Sequence, residues 1–459
     1  MKNNEKLLNI IGEVDEEFIP ELHTRKKRST AKWLAIGGSV CAAVLVGAFA
    51  LRGLIKRNPP IATSQETAET TETNEQTTTS STTSTTKPVE NDTAEAKDDS
   101  FVLSDEEYAD ILENHKIYPE YQLPTETDDG LVHISAGFEF GAMGFGGIMV
   151  FDISEYDSPN PWSEDLQLST LPVFRNLSYV EHVGGAPVYL SEEEMLTMAK
   201  NTAAALGATI ISTEAETIGD AMGNPPEEYA DRTYYVTADC DTVIINVEGD
   251  GEITVRIKEP VKLDGYSFTY QNTDKEEGER TVAYLAERLR GLLQYSNPVS
   301  YTINDRNIYE EQHRMYYIYD RSDDIVQDIL NYNLCYTEVY PNDDGTFDFI
   351  RMFNQLVSSE FLGNYPVISE NEARSLLLNN SYISTVHLET IEESDIGKVE
   401  LMYRMNDEYV LPYYLYYVDI TDIAYYSPDS EMKTYGLFFV PAVRAEYLSD
   451  ISVWNGSFN

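Results

Sequence analysis

From Trp33 to Leu51 the chain reads WLAIGGSVCAAVLVGAFAL, nineteen residues without a charge. As a helix they rise about 28 Å, close to the roughly 30 Å hydrocarbon thickness of a bilayer. The pattern predicts one transmembrane helix within residues 33–55. Five basic residues precede it (Arg25, Lys26, Lys27, Arg28, Lys32) and three follow (Arg52, Lys56, Arg57), which places residues 1–32 in the cytoplasm and the remainder outside. Ala48-Phe49-Ala50 also fits a signal-peptidase site, the alternative in which the span is a removable leader. Cys41 lacks the upstream leucine-like residue of a lipoprotein site and reads as a small apolar residue of the span.

Ahead of the span, Leu7, Ile11, Val14, Phe18 and Leu22 recur at helical spacing, with an acidic opposite face. So short a segment cannot bury a core of its own, and its apolar stripe is a candidate contact for a cytoplasmic protein partner. After the span, residues 56–100 are rich in Thr and Glu and almost free of large apolar residues, the composition of a disordered tether.

From Phe101 the pattern changes to short strands and capped helices. Ser104/Glu107, Ser191/Glu194 and Ser369/Glu372 are Ser-x-x-Glu capping boxes, each opening a helix. Further helices are expected over 277–293 and 324–332 from their apolar spacing. Strands are expected at LVHISAGFEF, GFGGIMVFDIS, RTYYVTA, TVIINVE, EITVRIKE, YSFTYQ, MYYIYD, CYTEVY, FDFIRMF, KVELMYRM, VLPYYLYYVDI and TYGLFFVPAV, with Asn342-Asp343-Asp344-Gly345 as a hairpin turn. The order of helix then strands recurs after Ser191 and after Ser369. The expected exterior is therefore α+β, antiparallel sheets with packed helices in two related units, 101–300 and 301–459.

Charge sorts along the same axis. Of 32 basic and 79 acidic residues, 10 and 6 lie in residues 1–57, which leaves 22 and 73 beyond, a net of −51. Such a surface repels phosphate polyanions and excludes nucleic-acid binding; it favours solubility. Only Cys240 and Cys335 lie beyond the span, either bridged or as two thiols. No spacing of Cys or His supports a zinc site, and no cofactor is expected.

Candidate chemistry is sparse. Gly141 to Gly147 fails the dinucleotide fingerprint and reads as a turn or bulge, and Ser267 lacks the second glycine of a nucleophile elbow. Tyr340 stands where a calcium loop would begin with a carboxylate, so Asn342 to Gly345 remains a turn. His182 beside Glu181 has no accompanying nucleophile or metal spacing. The tyrosine runs Tyr413-Tyr414-Leu415-Tyr416-Tyr417 and Tyr425-Tyr426 fit strand packing, or a sugar- or peptide-binding face if exposed together. The expectation is a protein without enzymatic activity.

The stretches IGEVDEEFI, NPWSEDLQLSTLPVFRN, YPVISENEARSLLL, KVELMYRMNDEYVLPYYLYYVDI and KTYGLFFVPAVRAEYLSD, together with the basic cluster, span and tether, resemble uncharacterised single-pass membrane proteins of Clostridia. The head is similar to the cytoplasmic heads of some anti-sigma-factor-like proteins, though shorter. The exterior is similar to PepSY-like modules and to YycH and YycI, exported regulators of a cell-wall histidine kinase. The resemblance implies signalling or regulation across the cell membrane, with an exported cell-wall or peptide binding module as the alternative.

Overall fold

Three helices begin on the capping boxes seen in the sequence. In α1 (Asp105–Asn114) the Glu107 amide donates to Ser104 Oγ at 3.3 Å and Glu107 Oε2 accepts from the Ser104 amide at 2.9 Å. Ser191 and Glu194 repeat the exchange at α2 (Glu192–Ala205). Asp274 caps α3 (Lys275–Arg288) and Asp324 caps α4 (Ile325–Leu334); Ser369 and Glu372 close the third box at α5 (Glu370–Leu378). Each exchange satisfies two backbone donors that the first turn leaves open. Ser191→Ala removes one of them and should cost about 1 kcal/mol of stability, read as a lower urea midpoint with an unchanged slope.

The computed structural model describes residues 103–124, 130–137, 147–179, 189–222, 225–307, 309–386, 388–424 and 431–450. The head, Trp33–Leu51 and the tether lie outside the described residues. Among the described residues, no helix is long and apolar enough to cross a membrane.

The described chain is a mixed α+β structure with antiparallel sheets. One sheet has eight strands: β4 (Ile210–Thr217), β5 (Thr233–Cys240), β6 (Val243–Glu248), β7 (Ile253–Lys262), β8 (Pro298–Arg306), β9 (Gln312–Asp320), β10 (Tyr336–Pro341) and β11 (Thr346–Met352). Their order is β4-β5-β6-β7-β11-β10-β9-β8, two antiparallel meanders joined where β7 pairs β11, and the sheet runs continuously across residue 300. The six-stranded sheet holds β2 (Gly147–Val150), β3 (Thr170–Asn176), β12 (Ser359–Pro366), β13 (Ile396–Met405), β14 (Tyr409–Asp419) and β15 (Lys433–Pro441), in the order β12-β3-β14-β15-β2 with β13 also on β14. A short parallel pair joins β1 (Ile134–Ser135) to β16 (Leu448–Asp450).

Alternation along the strands sorts side chains into three large cores, beside a small cluster at Ile218 and Tyr234. Val236, Val243, Ile245, Val255 and Ile350 meet α2 and α3 on one face of the large sheet. On its other face Tyr301, Ile303, Tyr317 and Tyr319 meet Leu411, Tyr413, Leu415 and Tyr417 of the second sheet. The far side of that sheet, with Val410, Tyr414, Tyr416 and Val418, packs on Ile329 and Leu330 of α4 and Ala373 and Leu377 of α5. β14 is thus buried on both faces, which accounts for its unbroken apolar and aromatic run.

One expected strand is absent. Tyr266 to Gln271 forms a loop, because its aromatic residues plug a core and do not join a ladder: Phe268 is buried on the helix side and Tyr266 stacks on Tyr284 of α3 at 4.3 Å. Its carbonyls are taken singly. Thr269 O accepts from the Tyr316 hydroxyl at 2.7 Å, Tyr270 O from the Arg314 amide at 2.7 Å, and Asn272 O from Gln312 Nε2 and Arg314 Nε, each at 2.8 Å.

Candidate functional site

On β5, β6, β7, β11 and β10 the positions between the core residues face away from α2 and α3. The register aligns Tyr235 with Glu248, Thr254 with Arg351, and Arg351 with Glu338. Glu252, in the tight β6–β7 turn, completes a polar cluster. Gly251 takes a φ of +94° in that turn, and its carbonyl accepts from the Tyr118 hydroxyl at 3.0 Å. Asp250 Oδ1 accepts from the Glu252 amide at 2.9 Å.

At the centre, Arg351 holds Glu252 with both prongs, Nε to Oε1 at 2.6 Å and Nη2 to Oε2 at 2.8 Å, while its guanidinium lies 4.4 Å from the Phe353 ring centroid. This fork geometry makes the pair directional and strong. Glu338 accepts from the Tyr340 hydroxyl. Glu248 Oε2 is buried with no hydrogen-bond partner among the described residues.

Burial drives the electrostatics, since removal from water penalises the charged form. It raises Glu248 well above the usual carboxylate range, with Glu252 and Asp250 adding repulsion. It also raises Asp250 and Glu338, in both cases against the pull of Arg351. Burial lifts Glu252 to about 7, again opposed by Arg351. Burial, the largest single influence on Arg351, would lower it, but Glu252, Glu338 and Tyr340 together push it up. Four carboxyl groups therefore share one guanidinium. The bidentate contact assigns that charge to Glu252, while burial favours the protonated form of the others. The chemistry available here is proton uptake and release.

The residues singled out from the sequence fall elsewhere. Leu7, Ile11, Val14, Phe18 and Leu22 lie outside the described residues, as do His182, His387, Tyr425 and Tyr426. Tyr413, Tyr414, Tyr416 and Tyr417 are buried, so they present no shared aromatic surface. Asn342 to Gly345 is the β10–β11 turn, in which Asp344 Oδ1 accepts from the Thr346 amide at 3.1 Å and hydroxyl at 2.7 Å. Ser267 lies in the loop before α3, its amide donating to Glu277 Oε1 at 2.9 Å. Cys240 and Cys335 are both free thiols; burial raises the first and pushes the second up to about 12. Among the described residues, no group of three or more His, Cys, Asp or Glu side chains is arranged to hold a metal ion.

The cluster itself was not singled out from the sequence. Its signal there is a charge inside an otherwise apolar or aromatic strand: Glu338 in CYTEVY, Arg351 in FDFIRMF, and the acidic turn of Glu248 to Glu252.

No known family pattern matches the chain, and no curated protein does. Among solved structures, an uncharacterised protein from Eubacterium rectale aligns over 60% of this chain and 84% of its own at 12% identity. The TM-score of 0.27 is too low for that likeness to carry an argument.

Proposed function

We propose that this chain is a membrane-anchored regulator whose exterior senses conditions outside the cell, of the anti-sigma-like or kinase-regulator-like kind. Trp33–Leu51 is its anchor, and Leu7 to Leu22 is its contact with a cytoplasmic partner. The observation that carries the sensing part is the set of four carboxyl groups around Arg351, which links the proton balance of the medium to the packing of the large sheet. The sorting of charge about the span supports the anchor.

The test is made in the producing cell. Deleting the protein should shift a defined set of transcripts, and the wild-type chain should restore them. A chain with Leu7, Ile11, Val14 and Phe18 all changed to Ser should not. Restoration by the Ser variant, at equal abundance, would sink the regulatory reading.

A second reading, an exported module for a peptide or cell-wall ligand, has one observation in its favour. Among the described residues β4 pairs only with β5, and Ile211 on it is 66% exposed, so the strand offers an edge to an extended peptide. Saturable binding of cell-wall fragments or peptides without any transcript response would favour it.

A further inference from the structure

Between the two sheets lies a small cavity of about 20 Å³, lined in part by Tyr156, Ser158, Ile303, Tyr332, Glu400 and Tyr417. Its wall contains a buried charge. Glu400 is 9% exposed; its Oε1 accepts from Ser158 Oγ at 3.0 Å and lies 2.8 Å from Lys398 Nζ, and its Oε2 accepts from the Tyr417 hydroxyl at 2.7 Å. Lys398 Nζ also donates to the Tyr156 carbonyl at 2.7 Å, tying the segment after β2 to β13.

Tyr156 is the exception in this otherwise satisfied wall. The residue is 2% exposed, and its hydroxyl has no hydrogen-bond partner among the described residues. A buried hydroxyl left unpaired is destabilising, and such groups in folded proteins are met by protein or by ordered water. The cavity volume matches that of a single water, and the wall supplies the two to four polar partners such a water needs.

We propose that one water molecule occupies this cavity as a built-in part of the fold. It accepts from the Tyr156 hydroxyl and donates to the Glu400 carboxylate, with the Tyr332 hydroxyl on the same wall as its third partner. The water thereby couples the segment after β2, strand β13 and helix α4. It forms a hydrated joint in a layer whose other side chains are mainly aromatic and aliphatic. This is independent of the regulatory role proposed above, and neither result decides the other.

Two measurements on the full chain, kept in detergent, test it. A high-resolution crystal structure should show a well-ordered water within hydrogen-bonding distance of Tyr156 Oη and Glu400. In Tyr156→Phe, Tm should fall by about 2 °C, because the water loses a partner and its lattice of bonds with it. A dry cavity gives the opposite sign, since removing an unpaired buried hydroxyl raises Tm. Absence of the water density, or a Tm that is unchanged or higher in Tyr156→Phe, overturns the proposal.

Discussion

Arg351→Met is expected to lower stability by about 3 kcal/mol near neutral pH, by removing one partner of a buried ion pair. The loss should shrink as the medium is made acidic. The carboxyl groups of Glu248, Asp250, Glu252 and Glu338 stand above their ordinary range in the folded chain, with burial as the first cause. A carboxyl raised on folding binds protons more tightly in the folded state, so its contribution is present at low pH and is lost as pH rises toward the folded value. For Glu252 that window runs from about 4.5 to about 7. Each proton so held makes stability fall by about 1.4 kcal/mol per pH unit across the window.

Without the guanidinium the four groups lose their counter-charge. Their affinity for protons then rises further, and the falling limb extends to higher pH. Urea midpoints of the wild type and Arg351→Met, compared at mildly acidic and mildly alkaline pH, read this directly. An equal loss at both ends would mean that Arg351 acts through packing on Phe353 alone. The capping carboxylates act in the reverse sense. Glu107, Glu194 and Glu372 are held below their usual range by bonds to their Ser partners, so their contribution is lost as the medium becomes strongly acidic. Maximum stability is therefore expected at mildly acidic pH.

Phe439→Ala should cost about 3–5 kcal/mol, the range for emptying a packed aromatic site. Phe439 is fully buried between the sheets. Its ring meets Tyr413 edge to face at 6.3 Å, with the Arg404 guanidinium 4.9 Å from its centroid. The lost area, the residual cavity and the lost cation contact act in the same direction. Ile423→Ala is the control: that side chain is 58% exposed, and the change should stay within about 0.5 kcal/mol. Comparable urea midpoints for the two variants would contradict the packing described here.

Local chemistry explains which elements were legible in the sequence. The three Ser-x-x-Glu boxes, the Asn342–Gly345 turn and the alternating strands β5 to β7 are decided within a few residues, and all are present. β8 carried no such signal because polar Thr302 and Asn304 are buried in it. β12 is broken by Gly363 at a register shift and ends in Pro366. Tyr266 to Gln271 has strand composition, yet its aromatic residues serve the α3 core. The cluster around Arg351 joins positions a hundred residues apart, and only the pairing of β7 with β11 brings them together. No periodicity within one segment encodes such a pairing.

The two sheets also differ in how the chain supplies them. All eight strands of the large sheet come from one continuous stretch, Ile210 to Met352, whereas the smaller sheet takes β2 and β3 from before that stretch and β12 to β15 from after it. The large sheet is thus an insertion within the smaller one. As the chain leaves the ribosome, the large sheet has all its partners before β12 exists, while β3 must wait for a neighbour made more than 180 residues later. Long closures of this kind slow folding and leave strand edges open in the interval. The order of synthesis therefore makes the inserted sheet the template on which the discontinuous one is later assembled.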